Sequence, residues 1–274
     1  MKRLQIVIVV IAVLSVAGLY SLPRVVVDND KEKESPGGLN TVKPFEEGLV
    51  NHSAEIPAEA VPRIDKWKAG LYLGGNMVDN EPALDSLMLV FQSINRYDSA
   101  AYYAGQYADS YPGEKNWRKA GNAYFEAFTF AVDEAKSQLM TSGARLYYNQ
   151  ILESGVKDLG IKNNMAMMLI SGDVPMQGIM MLREIIEEDP ENLNALFNLG
   201  ILAIRTQQFE RALERFETLV GYHPDHIEGN MYLGMCLYET GNLTKAKAQF
   251  EKIKEMDINE RVRNLADDYL GRIK

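Results

Sequence analysis

Pro190 and Pro224 stand thirty-four residues apart, and the residues between them repeat in register with those that follow. Ala166, Gly200 and Gly234 keep the same spacing, as do Gly178, Ala212 and Ala246. Leu182, Phe216 and Phe250 form a fourth column. A fixed period of this length is the mark of stacked supersecondary units. Within each unit, apolar residues recur at helical spacing on both sides of a short turn, so the unit is a helical hairpin. One hairpin cannot bury its own apolar face, and stacked neighbours do this for each other. A small residue on the first helix lets the second approach closely. The phenylalanine column fills the space between successive pairs, and the proline ends one unit before the next begins. The pattern predicts an all-α solenoid.

The columns are dense enough to carry a resemblance. Residues 193–226 present Leu196, Leu199-Gly200, Ala203, Phe209, Ala212, Phe216, Leu219 and Pro224. Residues 227–260 present Asn230, Leu233-Gly234, Leu237, Leu243, Ala246, Phe250, Ile253 and Ile258. These residues resemble the tetratricopeptide repeat family over roughly residues 81–274. Residues 159–192 fit less closely, through Met165-Ala166, Leu169, Gly178, Leu182, Ile185 and Pro190, with Pro175 in the turn. Upstream, Leu87, Phe91, Tyr97, Ala100, Ala104, Tyr107 and Pro112 outline a unit over 81–114. Trp117, Ala120-Gly121 and Tyr124 open another over 115–158, whose second helix arrives late with Ala144, Tyr148 and Ile151. Gly121 to Ala144 is 23 residues where Gly200 to Ala212 is 12, so both helices of that unit are expected to be long and to protrude. Val262, Leu265-Ala266 and Tyr269 read as a capping helix over 261–274. Val61, Ile64, Trp67 and Leu71 read as another over 58–80. The resemblance implies a right-handed helical-hairpin solenoid.

It also implies a concave surface lined by first helices, where the family binds peptides or extended segments of partner proteins. Carried over position by position, that surface holds Asn163 and Met167, then Phe197, Ile201, Ile204 and Arg205, then Met231, Met235 and Tyr238. Ile170 belongs to the same set. Members that clamp a terminal carboxylate place lysine, asparagine and arginine there. Arg205 is the one strong cation among these positions, so that clamp is not expected. Nine of the thirteen methionines lie between Met165 and Met256, and methionine suits surfaces that accept varied apolar partners. The same methionines also serve as packing between helices, and sequence leaves both readings open.

The N-terminal segment has a different character. Leu4 to Leu22 is nineteen residues without a charge, preceded by Lys2 and Arg3 and followed by Asp28 and Asp30. At about 1.5 Å per residue a helix of that length spans roughly 28 Å, close to the hydrocarbon thickness of a bilayer. The charge asymmetry keeps the N-terminus in the cytoplasm and sends the rest across. The preferred reading is a single uncleaved transmembrane anchor over 1–22 in a bacterial inner membrane, with the C-terminal domain periplasmic. A cleaved signal peptide, with Ser15-Val16-Ala17 as its cleavage site, is the alternative. Residues 23–57 mix charges with Ser-Pro-Gly-Gly and read as a flexible linker.

Composition narrows the chemistry. The chain carries 29 basic against 38 acidic side chains, a net charge of −9, which argues against a nucleic-acid partner. Residues 65–274 alone hold 22 basic and 30 acidic side chains. The single cysteine, Cys236, excludes an intramolecular disulfide framework and a multi-cysteine zinc site. His223 and His226 flank Pro224-Asp225 in a turn between units, where a metal site is not expected. No phosphate loop, HExxH or nucleophile elbow is present. The expectation is therefore a non-enzymatic scaffold without cofactor, metal or small-molecule substrate. It binds partner or client polypeptides and touches lipid through residues 4–22. Its layout resembles accessory subunits of the secretion translocon; cytochrome c maturation factors and permanent envelope-complex subunits are the alternatives.

Overall fold

The computed structural model describes residues 56–256 and 259–273. The expected anchor at residues 1–22, nearly all of the linker, and Ile258 lie outside the described residues. Among the described residues, no helix is long and apolar enough to cross a membrane.

Twelve α-helices follow one another among the described residues. Helix α1 is Val61–Leu71, and a small antiparallel hairpin follows it, β1 (Tyr72–Leu73) against β2 (Asn76–Met77). Five helical hairpins come next. They are α2 (Glu81–Ser93) with α3 (Tyr97–Ser110), α4 (Glu114–Thr129) with α5 (Glu134–Glu153), and α6 (Leu159–Ser171) with α7 (Pro175–Glu188). The last two are α8 (Leu193–Arg205) with α9 (Phe209–Tyr222) and α10 (Ile227–Glu239) with α11 (Leu243–Glu255). Helix α12 (Glu260–Arg272) ends the stack. The result is an all-α hairpin solenoid. The helix expected over 58–80 stops at Leu71, because Gly74 and Gly75 both adopt positive φ, +59° and +85°, and turn the chain back as a two-residue hairpin.

The glycine columns act at the close approach of paired helices. A Cβ on Gly200 would stand 2.6 Å from the Phe216 ring, and one on Gly234 would stand 2.8 Å from the Phe250 ring. Gly121 faces Tyr148 in the same way, at 2.6 Å. Each ring also reaches forward to the next hairpin. Phe216 stacks on Tyr232 with centroids 5.3 Å apart, and Phe250 stacks on Tyr269 at 4.8 Å. One aromatic column therefore closes a hairpin and joins it to its successor.

Gly121 and Tyr148 are separated by eleven more residues than Gly200 and Phe216. The structure distributes them as three extra residues on α4 after the glycine, one in the turn, and seven on α5 before the tyrosine. Helices α4 and α5 thus run to 16 and 20 residues, where α8 and α9 have 13 and 14. The tip of this hairpin carries Phe130, stacked on Tyr97 at 4.0 Å, and the strongly exposed Val132.

Starts of helices follow the repeat as well. Asn80, Asp158, Asn192, His226 and Asn259 each cap a first helix or the terminal helix by accepting a backbone N–H. These caps satisfy donors that the first turn of a helix leaves unpaired. The core runs along the stack as four clusters: α1 with α2 and α3, α3 to α6, α6 to α8, and α8 to α12. Met88 packs against both the first and the second cluster, and Ile186 against both of the last two.

Candidate protein-binding face

First helices of successive hairpins touch directly, α4 with α6 and α6 with α8, so their outward residues share one face. Two zones of different chemistry occupy it.

The apolar zone lies on α6, α8 and α10. Met167, Ile201, Ile204, Met235 and Tyr238 are half-buried, and Arg205 at the end of α8 is exposed. Ile201, Ile204, Met235 and Tyr238 pack their inner surfaces against one cluster, which also holds Phe216 and Phe250. Met167 packs against the neighbouring cluster between α6 and α8, together with Ile170. Most of each side chain is thus spent on the stack and a smaller part is presented outward. Phe197 is half-buried too, but its ring is held edge-on by Phe216, His226 and Tyr232 at 5.6–5.9 Å.

Two residues assigned to this face from sequence sit deeper. Met231 is 6% exposed and belongs to the α8–α12 core. Asn163 is 7% exposed, and its Oδ1 accepts the amide of Asn198 at 2.9 Å, which ties α6 to α8. Both serve helix packing. The position on one face is the same as for their accessible neighbours, and the depth is set by how closely the following helix approaches.

The polar zone, on α2 and α4, was not singled out from sequence. Lys115 donates to Glu81 at 2.5 Å, and Lys119 donates to Glu81 at 2.6 Å and to Asp85 at 2.5 Å. Gln92 donates to Glu126 at 2.6 Å. Glu81 with Lys115, Asp85 with Lys119 and Gln92 with Glu126 are each thirty-four residues apart, so these bonds repeat the period of the fold. The two lysines hold the Glu81 carboxyl down to about 2, chiefly through the hydrogen bond from Lys115 and then that from Lys119. Arg118 donates to Glu114 at 2.7 Å and to Asp158. Beside these bonds is a shallow, open depression on α4, lined by its cations, Asn122, Ala123 and Glu126 and edged by Met88 of α2. The signal that could have found this zone is the run of opposite charges at the repeat spacing.

A polar relay joins the zones. The Tyr148 hydroxyl donates to Asn122 Oδ1 at 2.8 Å and accepts from the Asn164 amide at 3.0 Å. The remaining candidates for chemistry are structural. Cys236 is fully buried, and burial pushes its thiol up to about 12. His226 Nδ1 accepts the Gly229 N–H at 2.9 Å, and His223 Nε2 meets the Glu191 carbonyl at 2.7 Å, so the two rings serve two turns. Among the described residues, no group of three His, Cys, Asp or Glu side chains is arranged to hold a metal ion.

Residues 197–260 match the family model of the tetratricopeptide repeat. That segment carries the tetratricopeptide repeat. A crystal structure of a tetratricopeptide repeat protein from Parabacteroides merdae superposes with a TM-score of 0.53 at 14% identity. That match covers 77% of this chain and 79% of the other, and it shows the fold alone. Two curated relatives match in sequence. The BBSome complex member BBS4 homolog of Drosophila melanogaster is 26% identical over 114 residues, 42% of this chain. The human protein O-mannosyl-transferase TMTC3 is 30% identical over 95 residues, 34% of this chain. The matches span 24% and 10% of those two proteins, so they concern a shared repeat segment. Tetratricopeptide repeats generally mediate contacts between proteins.

Proposed function

We propose that the chain is a non-enzymatic scaffold that binds extended apolar polypeptide segments on the face formed by α6, α8 and α10. The observation that carries this reading is the row of half-buried apolar side chains on adjacent first helices: Met167, Ile201, Ile204, Met235 and Tyr238. Their inner surfaces anchor them in the stack, so the outward surfaces are ordered before a ligand arrives, and little side-chain entropy is lost on binding. Two methionines in the row let it adapt to segments of different shape. The nineteen apolar residues Leu4 to Leu22 support a location at the inner membrane, with the solenoid in the periplasm on a tether of about thirty residues. A binding face of this kind near a membrane suits an accessory of the secretion translocon, which meets polypeptides as they emerge.

A second reading, a permanent subunit of a larger envelope complex, is favoured by the relative whose name describes a complex member. The two readings, and that of a cytochrome c maturation factor, separate on one experiment. The full chain is purified from detergent-extracted membranes, beside a variant with Ile201→Asn and Met235→Gln and a control with Met176→Gln and Met180→Gln on the exposed side of α7. Translocon subunits or their clients bound to wild type and control, and lost in the face variant with its helicity retained, support the proposal. Haem-assembly proteins or a fixed stoichiometric complex would replace it with the corresponding alternative. Retention of all partners by the face variant would sink the binding face itself. Full-length chain released by carbonate extraction would sink the anchor.

A further inference from the structure

We propose that the solenoid bends at residues 154–158, between α5 and α6, and that the Arg118–Asp158 ion pair is the latch that sets the bend. Among the described residues, four turns join the five hairpins. Three of them place proline directly after the residue that caps the preceding helix: Pro112, Pro190 and Pro224. The fourth places Gly155 there, with φ +88°. Proline fixes its own φ and restricts the residue before it, whereas glycine leaves the turn free to pivot.

Packing across this turn is thin. Further along the stack, Phe216 meets Tyr232, sixteen residues ahead, and the two rings tie α9 to α10. The residue sixteen ahead of Tyr148 is Asn164, and the contact there is a hydrogen bond of 3.0 Å. The cluster built by α3, α4 and α5 takes Ile161 and Met168 as buried residues from α6, and none from α7. From α8 to α12, by contrast, every helix gives buried side chains to one cluster. The other tie across the turn is polar as well: Arg118 of α4 donates to Asp158, the residue that caps α6. Both side chains are partly exposed, so water replaces either partner and the pair opens without uncovering core. Because α4 and α6 are neighbouring first helices, the bend sets the spacing between the polar and apolar zones of the face.

Double electron–electron resonance on the full chain in detergent tests this. Spin labels at Arg145→Cys and Glu214→Cys span the turn from α5 to α9, and labels at Glu214→Cys and Lys247→Cys stay on one side of it; all three positions are exposed. Cys236 is fully buried and stays unlabelled. The spanning pair is expected to give the broader distance distribution. Asp158→Asn should shift and broaden it further while the one-sided pair is unchanged. Asparagine caps a helix as well as aspartate does, so this variant removes the latch and keeps the start of α6. Arg118→Gln is expected to act in the same way, as is raising the salt from about 0.01 M to about 1 M, where the Debye length falls to about 3 Å. A spanning distribution as narrow as the one-sided one overturns the bend. An unchanged spanning distribution in both Asp158→Asn and Arg118→Gln overturns the latch. Broadening of both label pairs together overturns the inference as well, because the loosening is then general.

Discussion

Gly200 and Gly221 are both helical glycines, and their surroundings assign them opposite values. A Cβ at Gly200 meets the Phe216 ring at 2.6 Å, whereas a Cβ at Gly221 meets nothing within 4 Å. Gly200→Ala is expected to destabilise by about 1–3 kcal/mol, because a ring shared by α8, α9 and α10 must shift. Gly221→Ala is expected to stabilise by about 0.5 kcal/mol through helix propensity and a less flexible unfolded chain. Chemical denaturation of the two variants measures both, and the same sign for both would contradict the packing described. Asn230 shows what a residue column alone conceals. It occupies the position that Leu196 holds in the preceding unit, yet it is fully buried and satisfied. Its amide donates to the carbonyls of Pro224 and His226, and its oxygen accepts from Gln249 and Lys252. The repeat places such a residue inside, and only the neighbouring helix reveals how a polar one is tolerated there.

At the scale of elements, the α2–α4 pair is held by charge as well as packing, and this gives a pH dependence. Folding lowers the Glu81 carboxyl from an ordinary value of 4.5 to about 2 through Lys115 and Lys119. A lowered carboxylate contributes stability that is fully present above its unfolded value and is lost as pH falls through the folded one. Wild type should therefore lose stability between about pH 4.5 and 2 more steeply than Glu81→Gln. Thermal midpoints across that window check this, and parallel profiles would contradict it. How much was legible in the sequence also divides by element. The hairpins from α6 to α11 follow from glycine, alanine, phenylalanine and proline columns, because backbone approach restricts which residues fit. The eleven extra residues of the α4–α5 hairpin are countable from the same columns. The β-hairpin after Leu71 leaves only Gly74-Gly75 as a turn signal, because its strands of two residues each are too short to show an alternating period. On the binding face, Met231 and Asn163 share a register with accessible residues, and register gives direction without depth.

At the scale of the whole molecule, a stack of hairpins holds together through its neighbours, so stability varies along it. The cluster between α6 and α8 is the smallest, with Ala166, Leu182, Ile185, Ala195 and Leu199 as its buried members. Only Ile161 and Met168 of α6 are buried in the cluster that precedes it. Amide hydrogen exchange should therefore show the lowest helical protection at α6 and α7, with stronger protection in α3 to α5 and in α8 to α11. Uniform protection along the stack would contradict this distribution. A weaker hairpin at one end of the apolar face would also let that face adjust to the segment proposed to lie on it. The claim on which the function rests is that extended apolar segments lie across first helices. Site-specific photocrosslinking in intact cells tests it most directly, with benzoylphenylalanine at Ile201 on the face and, separately, at Arg211 on α9. The account predicts adducts from position 201 that mass spectrometry maps to apolar segments of other polypeptides, with none from position 211. Adducts from position 211 alone, or none from position 201 in a folded chain, would contradict it.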